Sequence, residues 1–193
     1  TKNKKFRIIN ISAKYDPCKK GGPWADIVPD KYMADVVFKE IVGKNEKALI
    51  YCGMHHSFTK FHMPMYVPAK DTLYGYDSKR LGNIVHDSLT NKPFLIVLHE
   101  PWLSAKNLSQ LVKPANGTID SVMNLFNNKS VGFDVVNTPF GQLTSNDSYY
   151  QNGYPNFTLS QFCDGYIFLK PIKEYKVTSW EKNFINEDNI DAL

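Results

Sequence analysis

Short runs of apolar residues recur along the chain without strict alternation between apolar and polar positions. Four runs, rich in β-branched or aromatic residues, lie at positions 6–12, 48–53, 94–99 and 131–136, and a fifth candidate lies at 165–169. Continuous apolar runs of this length are typical of β-strands that are buried on both faces of a sheet. The pattern therefore predicts four or five short strands.

The segments between these runs have an amphipathic helical pattern. Residues 30–42, 78–89 and 118–127 repeat apolar positions at the spacing of an α-helix. Thr118 is predicted to cap the third helix, and Phe126 is predicted to face inward from it. Strands that alternate with helices predict an α/β domain with a mainly parallel sheet and flanking helices.

Residues 137–162 have a different character, because they are rich in Asn, Ser, Tyr, Gly and Pro and show no periodicity. This composition predicts a long, partly ordered irregular loop in the C-terminal third of the chain. Long loops of this kind often act as lids or binding loops. Surface packing around Tyr149, Tyr150 and Tyr154 is the alternative, and the sequence leaves both open.

Composition limits the class of protein. The 193 residues are 42% hydrophobic and 22% charged, which fits one soluble domain over residues 1–193 with a sizeable core. The net charge of +4 is spread along the chain, without a basic stripe interleaved with aromatics, so we expect no nucleic-acid partner. No run approaches the length of a membrane span, and the oligomeric state is left open.

The three cysteines are widely spaced and odd in number, so they predict neither a disulfide framework nor a paired metal site. The polar start of the sequence is not a signal peptide. If a leader peptide preceded this sequence and was removed, the protein would lie outside the cytoplasm. The compartment is therefore not determined by the sequence.

Three of the five histidines, His55, His56 and His62, fall within eight positions directly after the predicted strand 48–53. Imidazole titrates near neutral pH and is the commonest metal ligand in proteins. A cluster of histidines at the end of a strand therefore predicts a site of acid–base chemistry or metal binding. A solvated histidine-containing loop is the alternative.

Polar side chains also follow the other predicted strands. Asp16 comes after the first strand, His99 and Glu100 end the third, and Asn137 follows the fourth. In open parallel sheets, ligands bind beyond the carboxyl ends of the strands. If the strands are parallel, a histidine base, an orienting carboxylate and polar donors would share one rim, as general acid–base catalysis requires.

Two segments carry a resemblance to a known family. Asp-Lys-Tyr-Met-Ala at 30–34 begins a predicted helix, and Ala-Leu-Ile-Tyr-Cys-Gly-Met-His-His at 48–56 ends a predicted strand in histidine. The pair resembles the erythromycin esterase-like domain, in which an Asp-x-x-Met-Ala helix precedes a strand that ends in a histidine. The Gly53-x-x-His56 element is also similar to the broader superfamily of haem-binding ChaN-like proteins and Tiki-type metalloproteases.

The resemblance covers roughly residues 6–100 and places His56 at the position of the family histidine. Arg-Leu-Gly at 80–82 resembles the segment that follows this strand. The family's other catalytic element, a Gly-Glu-x-x-His segment after the first strand, does not occur in this sequence. Either the chain is the C-terminal part of a longer protein, or this relative has lost that half of the site.

The first functional hypothesis is a hydrolase of the esterase-like type. His56 would act as the base or as an electrostatic stabiliser, assisted by His55 or His99, while Glu100 or Asp16 orients an imidazole. Activated water would attack an ester, lactone or amide carbonyl of a small-molecule substrate. In a variant of this hypothesis, His55, His56, His62 and Glu100 bind Zn²⁺ or another divalent metal, although adjacent histidines are not a usual ligand spacing.

The second hypothesis is a binding domain without catalysis, of the ChaN-like kind. The same rim would hold haem or another small molecule, with histidine and tyrosine near the iron and Phe58, Phe61 and Met63 as an apolar wall. The environment of His56 separates the two hypotheses. A carboxylate within hydrogen-bond reach favours catalysis, whereas an apolar slot around His56 favours ligand binding.

Overall fold

The structure is a computed structural model that describes residues 6–12 and 29–176. The α-helices of this part are α1 (Pro29–Glu40), α2 (Met54–Ser57), α3 (Leu81–Ser88), α4 (Thr118–Leu125) and α5 (Leu159–Phe162). The β-strands are β1 (Met63–Val67), β2 (Thr72–Asp77), β3 (Ile96–Leu98), β4 (Trp102–Leu103), β5 (Leu111–Val112), β6 (Val131–Asp134) and β7 (Gly165–Phe168). None of the helices in these residues is long and apolar enough to cross a bilayer.

The three predicted amphipathic helices are present as α1, α3 and α4. The details of α4 differ from the prediction, because Gly117 is its N-cap, with a φ of 79°, and Thr118 is the first helical residue. Glycine reaches this left-handed conformation at little cost, so the chain enters α4 without a side-chain cap. Phe126 lies after Leu125, the last residue of α4, so it is not part of the buried face of the helix and is 66% exposed, contrary to the prediction.

The sheets are small and mixed. One sheet has the order β3-β7-β6, in which β3 is parallel to β7 and β6 is antiparallel to β7. Two further antiparallel pairs are formed by β1 with β2 and by β4 with β5. The predicted α/β class is thus confirmed, while the predicted mainly parallel sheet is not, because parallel pairing in the described residues is limited to β3 and β7.

Two of the predicted strands are not strands in the structure. Residues 6–12 and 48–53 lie outside every β-ladder, whereas the runs at 94–99, 131–136 and 165–169 contain β3, β6 and β7. A strand is defined by its hydrogen-bonded neighbour, and an apolar sequence alone does not supply one. Residues 48–53 have the composition of a buried strand but no partner among the residues described.

The irregular segment 137–162 contributes to the core. It contains two short 3₁₀ turns, Pro139–Gln142 and Tyr149–Gln151, followed by α5. The main hydrophobic cluster includes five side chains from this segment, those of Tyr149, Tyr150, Phe157, Leu159 and Phe162. A smaller cluster joins α1 and α3 and consists of Met33, Ala34, Val37, Leu81 and Val85.

Candidate functional site

The short helix α2 carries His55 and His56 and is held against α3 by a close backbone contact. A Cβ atom at Gly82 would lie 2.4 Å from the carbonyl oxygens of both Ser57 and Phe58. Glycine is therefore required at position 82, since any side chain would separate α3 from the end of α2. This contact fixes the two histidines relative to the start of α3.

Asn83 secures the chain that leaves α2. Its fully buried amide donates hydrogen bonds to the carbonyl oxygens of Thr59, at 2.7 Å, and Phe61, at 3.0 Å. Its side-chain oxygen accepts a hydrogen bond from the backbone N–H of Arg80. One buried side chain thus connects the N-terminus of α3 with the segment that follows the histidines.

Asp30 and His56 form a hydrogen-bonded pair, which we call the Asp30–His56 dyad. The distance between Asp30 Oδ1 and His56 Nδ1 is 2.7 Å. The same oxygen accepts the backbone N–H of Leu81, also at 2.7 Å. Asp30 is buried, in the first turn of α1 and at the N-terminus of α3, where helix ends favour negative charge.

The hydrogen bond to Asp30 determines which His56 nitrogen is free. A carboxylate can only accept, so Nδ1 carries the proton in the dyad and Nε2 of the neutral ring bears the lone pair. The side chain of His56 is 36% exposed, and Nε2 has no hydrogen-bond partner among the described residues. An oriented imidazole with an accessible Nε2 has the arrangement of a general base.

Arg80 supplies positive charge beside the dyad. Its Nη1 lies 3.5 Å from Asp30 Oδ2, and its Nε lies 2.8 Å from Asp77 Oδ2. The two carboxylates hold the guanidinium, which is itself only 23% exposed. Oδ1 of Asp30 therefore contacts both His56 and the backbone of Leu81, whereas Oδ2 lies near Arg80.

His55 points away from the dyad. Its Nε2 lies 2.9 Å from the hydroxyl of Tyr150, and its ring packs against Phe58. Burial lowers the pKa of His55, and the charges of Arg80 and His56 lower it further. Burial also raises the pKa of Tyr150, so the phenol stays protonated. The adjacent histidines therefore face different surroundings, and His56 is the one with a carboxylate partner.

His99 lies in the core and has no exposed surface. Its Nδ1 is 2.9 Å from the hydroxyl of Tyr166, and its Nε2 is 3.4 Å from Asp120 Oδ2. Its carbonyl oxygen accepts a hydrogen bond from the Tyr175 hydroxyl. Burial lowers the pKa of His99, an effect that the Asp120 carboxylate opposes only in part and that Lys113 reinforces. In this position His99 cannot contact a substrate.

The buried state of His99 predicts that acid destabilises the fold. Because its pKa is lower in the folded than in the unfolded chain, the unfolded chain binds more protons as the pH falls below about 6.5. The free energy of unfolding should therefore fall as the pH falls through that range. Urea unfolding of the wild type and of His99→Asn, at pH 8 and pH 5.5, measures this slope.

We expect the variant to be less stable at pH 8 but less sensitive to acid than the wild type. His55 retains a contribution of the same sign, because its pKa is also lowered, so the slope should shrink without vanishing. A His99→Asn variant with the full pH dependence of the wild type would exclude His99 as its source.

The other predicted site residues are not joined to the dyad. Glu100 is half-buried, and burial raises the pKa of its carboxyl. The backbone oxygen of His62 accepts a hydrogen bond from the Tyr154 hydroxyl, while its ring has no hydrogen bond to another described residue. Asp16 lies outside the described residues. Within the residues that the structure describes, no group of three or more His, Cys, Asp or Glu side chains could hold a metal ion.

A cavity of about 570 Å³ opens beside α2. Its wall includes Cys52, Gly53, Met54 and Ser57, which surround His55 and His56 in the sequence. A Cβ atom at Gly53 would lie 3.7 Å from Cδ2 of His56, so this wall borders the His56 ring. Asp30, His55 and His56 themselves are not among the residues that line the cavity.

Neither described cysteine has the properties of a nucleophile. Burial raises the pKa of Cys163 to about 12, with a further contribution from Asp164. Burial, and then the charge of Asp30, also raise the pKa of Cys52. Reactive cysteines need a lowered pKa, so both thiols stay protonated near neutral pH.

Comparison with known proteins finds no family model, no curated protein and no solved structure that matches this chain. The resemblance to the erythromycin esterase-like domain therefore stays a prediction.

The sequence predicts Glu100 or Asp16 as the carboxylate that orients His56, whereas the structure places Asp30 beside it. The two motifs quoted from the sequence contain the residues concerned: Asp30 is the first residue of the Asp-x-x-Met-Ala segment, and Arg80 is the first residue of the Arg-Leu-Gly segment. The structure brings Asp30 to His56 and Arg80 to Asp30. The spacing along the chain does not predict the contact between Asp30 and His56, because the two residues are 26 positions apart in the sequence.

Proposed function

We propose that this protein is a hydrolase that attacks an ester, lactone or amide carbonyl with water, using the Asp30–His56 dyad as its general base. The observation that carries the proposal is the 2.7 Å hydrogen bond from His56 Nδ1 to a buried carboxylate, together with the accessible Nε2 on the other side of the ring. A carboxylate–imidazole pair of this kind activates oxygen nucleophiles near neutral pH.

The reaction follows from the position of the proton on His56. Nε2 removes a proton from water as the water oxygen bonds to the carbonyl carbon, and a tetrahedral intermediate forms. Asp30 stabilises the imidazolium that results. The imidazolium then returns the proton to the leaving oxygen or nitrogen, the carbon–heteroatom bond breaks, and an acid and an alcohol or amine are released.

The resemblance noted in the sequence agrees with this proposal. Its two motifs are the Asp-x-x-Met-Ala helix and the histidine after the predicted strand, and their Asp30 and His56 are the residues in contact. We therefore retain an esterase-like enzyme as the proposed class. The substrate itself is left open by the shape of the site.

A chemical-rescue experiment tests the proposal. Purified wild type is assayed on p-nitrophenyl esters, aryl lactones and anilides, alongside His56→Gly with and without added imidazole. We expect hydrolysis by the wild type, its loss in the variant, and partial recovery with imidazole, because the small residue leaves space for the free base beside Asp30.

The matched control is His86→Gly, which removes a histidine that is hydrogen-bonded to Asp87 on the surface. After the hydrolysis that imidazole causes without protein is subtracted, this variant should keep the wild-type rate and gain nothing from imidazole. Equal hydrolysis by the wild type and His56→Gly would overturn the role of the dyad. No hydrolysis of any ester, lactone or anilide by the folded wild type would overturn the proposed function.

A further inference from the structure

Arg80 forms an ion pair with the outer oxygen of Asp30, on the side away from His56. Its guanidinium lies between two carboxylates, 3.5 Å from Nη1 to Asp30 Oδ2 and 2.8 Å from Nε to Asp77 Oδ2. Asp77 ends β2 and is paired with Met63 of β1, so this hairpin holds one side of the guanidinium. Because the Arg80 side chain is only 23% exposed, solvent screens its charge incompletely.

The backbone of Arg80 is fixed as well. Its N–H donates to the side-chain oxygen of Asn83 at 3.2 Å, and its carbonyl oxygen accepts from the N–H of Ile84 at 2.9 Å. The next N–H along the chain, that of Leu81, donates to Asp30 Oδ1. The start of α3 therefore sets the distance between the charges of Arg80 and Asp30.

The ion pair with Arg80 changes what Asp30 does to the neighbouring imidazole. A buried carboxylate beside a histidine favours the protonated ring, since opposite charges attract most strongly where water is excluded. In the protonated ring, Nε2 of His56 carries a proton and cannot accept one from water. A carboxylate whose charge is offset by a cation attracts that proton less and can still accept a hydrogen bond from the neutral ring.

No second cation of this kind is present beside Asp30. Among the described residues, Arg80 is the one lysine or arginine within ion-pair distance of this carboxylate. The titratable and charged groups around the dyad come from α1, α2, β2, the start of α3 and the segment before α2: Asp30, His55, Asp77, Arg80 and Cys52.

The charge of Arg80 reaches the histidines of α2. Burial lowers the pKa of His55, and the charge of Arg80 lowers it further, ahead of that of His56. Burial raises the pKa of the Cys52 thiol, and the charge of Asp30 raises it further. His55 and Cys52 are thus neutral neighbours of the dyad, which leaves Arg80 to offset the charge of Asp30.

We infer that Arg80 is a positioning residue of the Asp30–His56 dyad, whose positive charge offsets that of Asp30 and so keeps the hydrogen-bonded ring of His56 neutral. The consequence for hydrolysis rests on the proposed function, because only the neutral ring can take a proton from water. The protonation of His56 can be measured without a substrate. Failure of this inference and failure of the proposed function are therefore separate results.

Titration of the histidine rings by NMR tests the inference on the intact chain. The Cε1 proton of each ring is followed from about pH 5 to about pH 9, and the signal of His56 is identified by its absence in His56→Gln. We expect Arg80→Gln to move the titration midpoint of His56 to higher pH by about half a pH unit or more, because the charge of Asp30 is no longer offset.

Arg80→Lys separates the charge of Arg80 from its shape. Lysine keeps the positive charge but not the planar fork that contacts two carboxylates at once. We expect the midpoint of His56 in this variant to stay close to that of the wild type. The backbone hydrogen bonds of Arg80 do not involve its side chain, so we expect both variants to fold.

Arg7→Gln is the matched control. Arg7 also pairs with two carboxylates, those of Glu46 and of Glu40 at the other end of α1. Its loss should leave the titration of His56 unchanged. His86, on the surface of α3, is an internal reference in the same spectra and should titrate alike in every variant.

Three results would overturn the inference: a midpoint of His56 that is unchanged or lower in Arg80→Gln, an equal rise in Arg80→Lys, or an equal rise in Arg7→Gln. If the wild type hydrolyses an ester of the panel, the acidic limb of its kcat/KM profile should move to higher pH in Arg80→Gln and keep its place in Arg80→Lys. If it hydrolyses none, the proposed function is overturned, while the NMR titration still decides the role of Arg80.

Discussion

Replacing Asp30 by Asn should lower the rate of the proposed hydrolysis about 10²- to 10⁴-fold while most of the stability is kept. The amide oxygen can still accept the N–H of Leu81 at the position of Oδ1, so the junction of α1 and α3 is retained. The negative charge that stabilises the protonated ring of His56 is lost. The measurement is kcat/KM on the best ester of the panel, together with urea unfolding.

Asp30→Ala separates the two roles of this carboxylate. It removes the charge and also leaves the buried N–H of Leu81 without an acceptor, which costs about 1–3 kcal/mol. We therefore expect a similar loss of rate in both variants but a clear loss of stability in Asp30→Ala alone. If Asp30→Asn keeps the wild-type rate, Asp30 is only a structural residue.

The control is Asp87→Asn. Asp87 also accepts from the Nδ1 of a histidine, His86, at 3.1 Å, but this pair lies on the surface of α3 and the Asp87 side chain is 68% exposed. Exposed pairs contribute little, so we expect neither rate nor stability to change appreciably. A rate loss in this variant similar to that of Asp30→Asn would show that the assay responds to general effects of charge.

Replacing Phe162 by Ala should lower the free energy of unfolding by about 3–5 kcal/mol. Phe162 is fully buried at the end of α5, and its ring is surrounded by other aromatic rings at centroid distances from 4.7 to 5.9 Å. These rings belong to Phe58, Phe61, Trp102, Tyr150 and Phe157. Truncation leaves a cavity that packed rings cannot fill.

Urea unfolding of Phe162→Ala and Phe126→Ala measures the effect. Phe126 is the same residue type but is 66% exposed after α4, so its loss should change stability by about 0.5 kcal/mol or less. Comparable values for the two variants would contradict the placement of residues 137–162 in the core. Because Phe58 directly follows α2, we also expect loss of this packing to disturb the position of His56.

The helices could be predicted from sequence because their signal is local. An apolar stripe at the spacing of 3.6 residues depends on neighbours within a few turns, and α1, α3 and α4 were located in this way. Strands need partners distant in sequence, which explains why residues 48–53 have the composition of a strand but no pairing partner among the described residues. The segment 137–162 has no periodic pattern, yet individual aromatic side chains along it pack into the core.

Local patterns in the sequence are enough to predict the α/β class and three of the helices, α1, α3 and α4, while His56 as the leading histidine of its cluster stays a prediction. Only the tertiary structure shows that Asp30, and not Glu100, is the carboxylate bonded to His56, and that His99 is a buried core residue. The physical reason is distance along the chain. The dyad joins the first turn of α1 to α2 through the packing of α3 against both, at Leu81 and Gly82, and no local pattern encodes that contact.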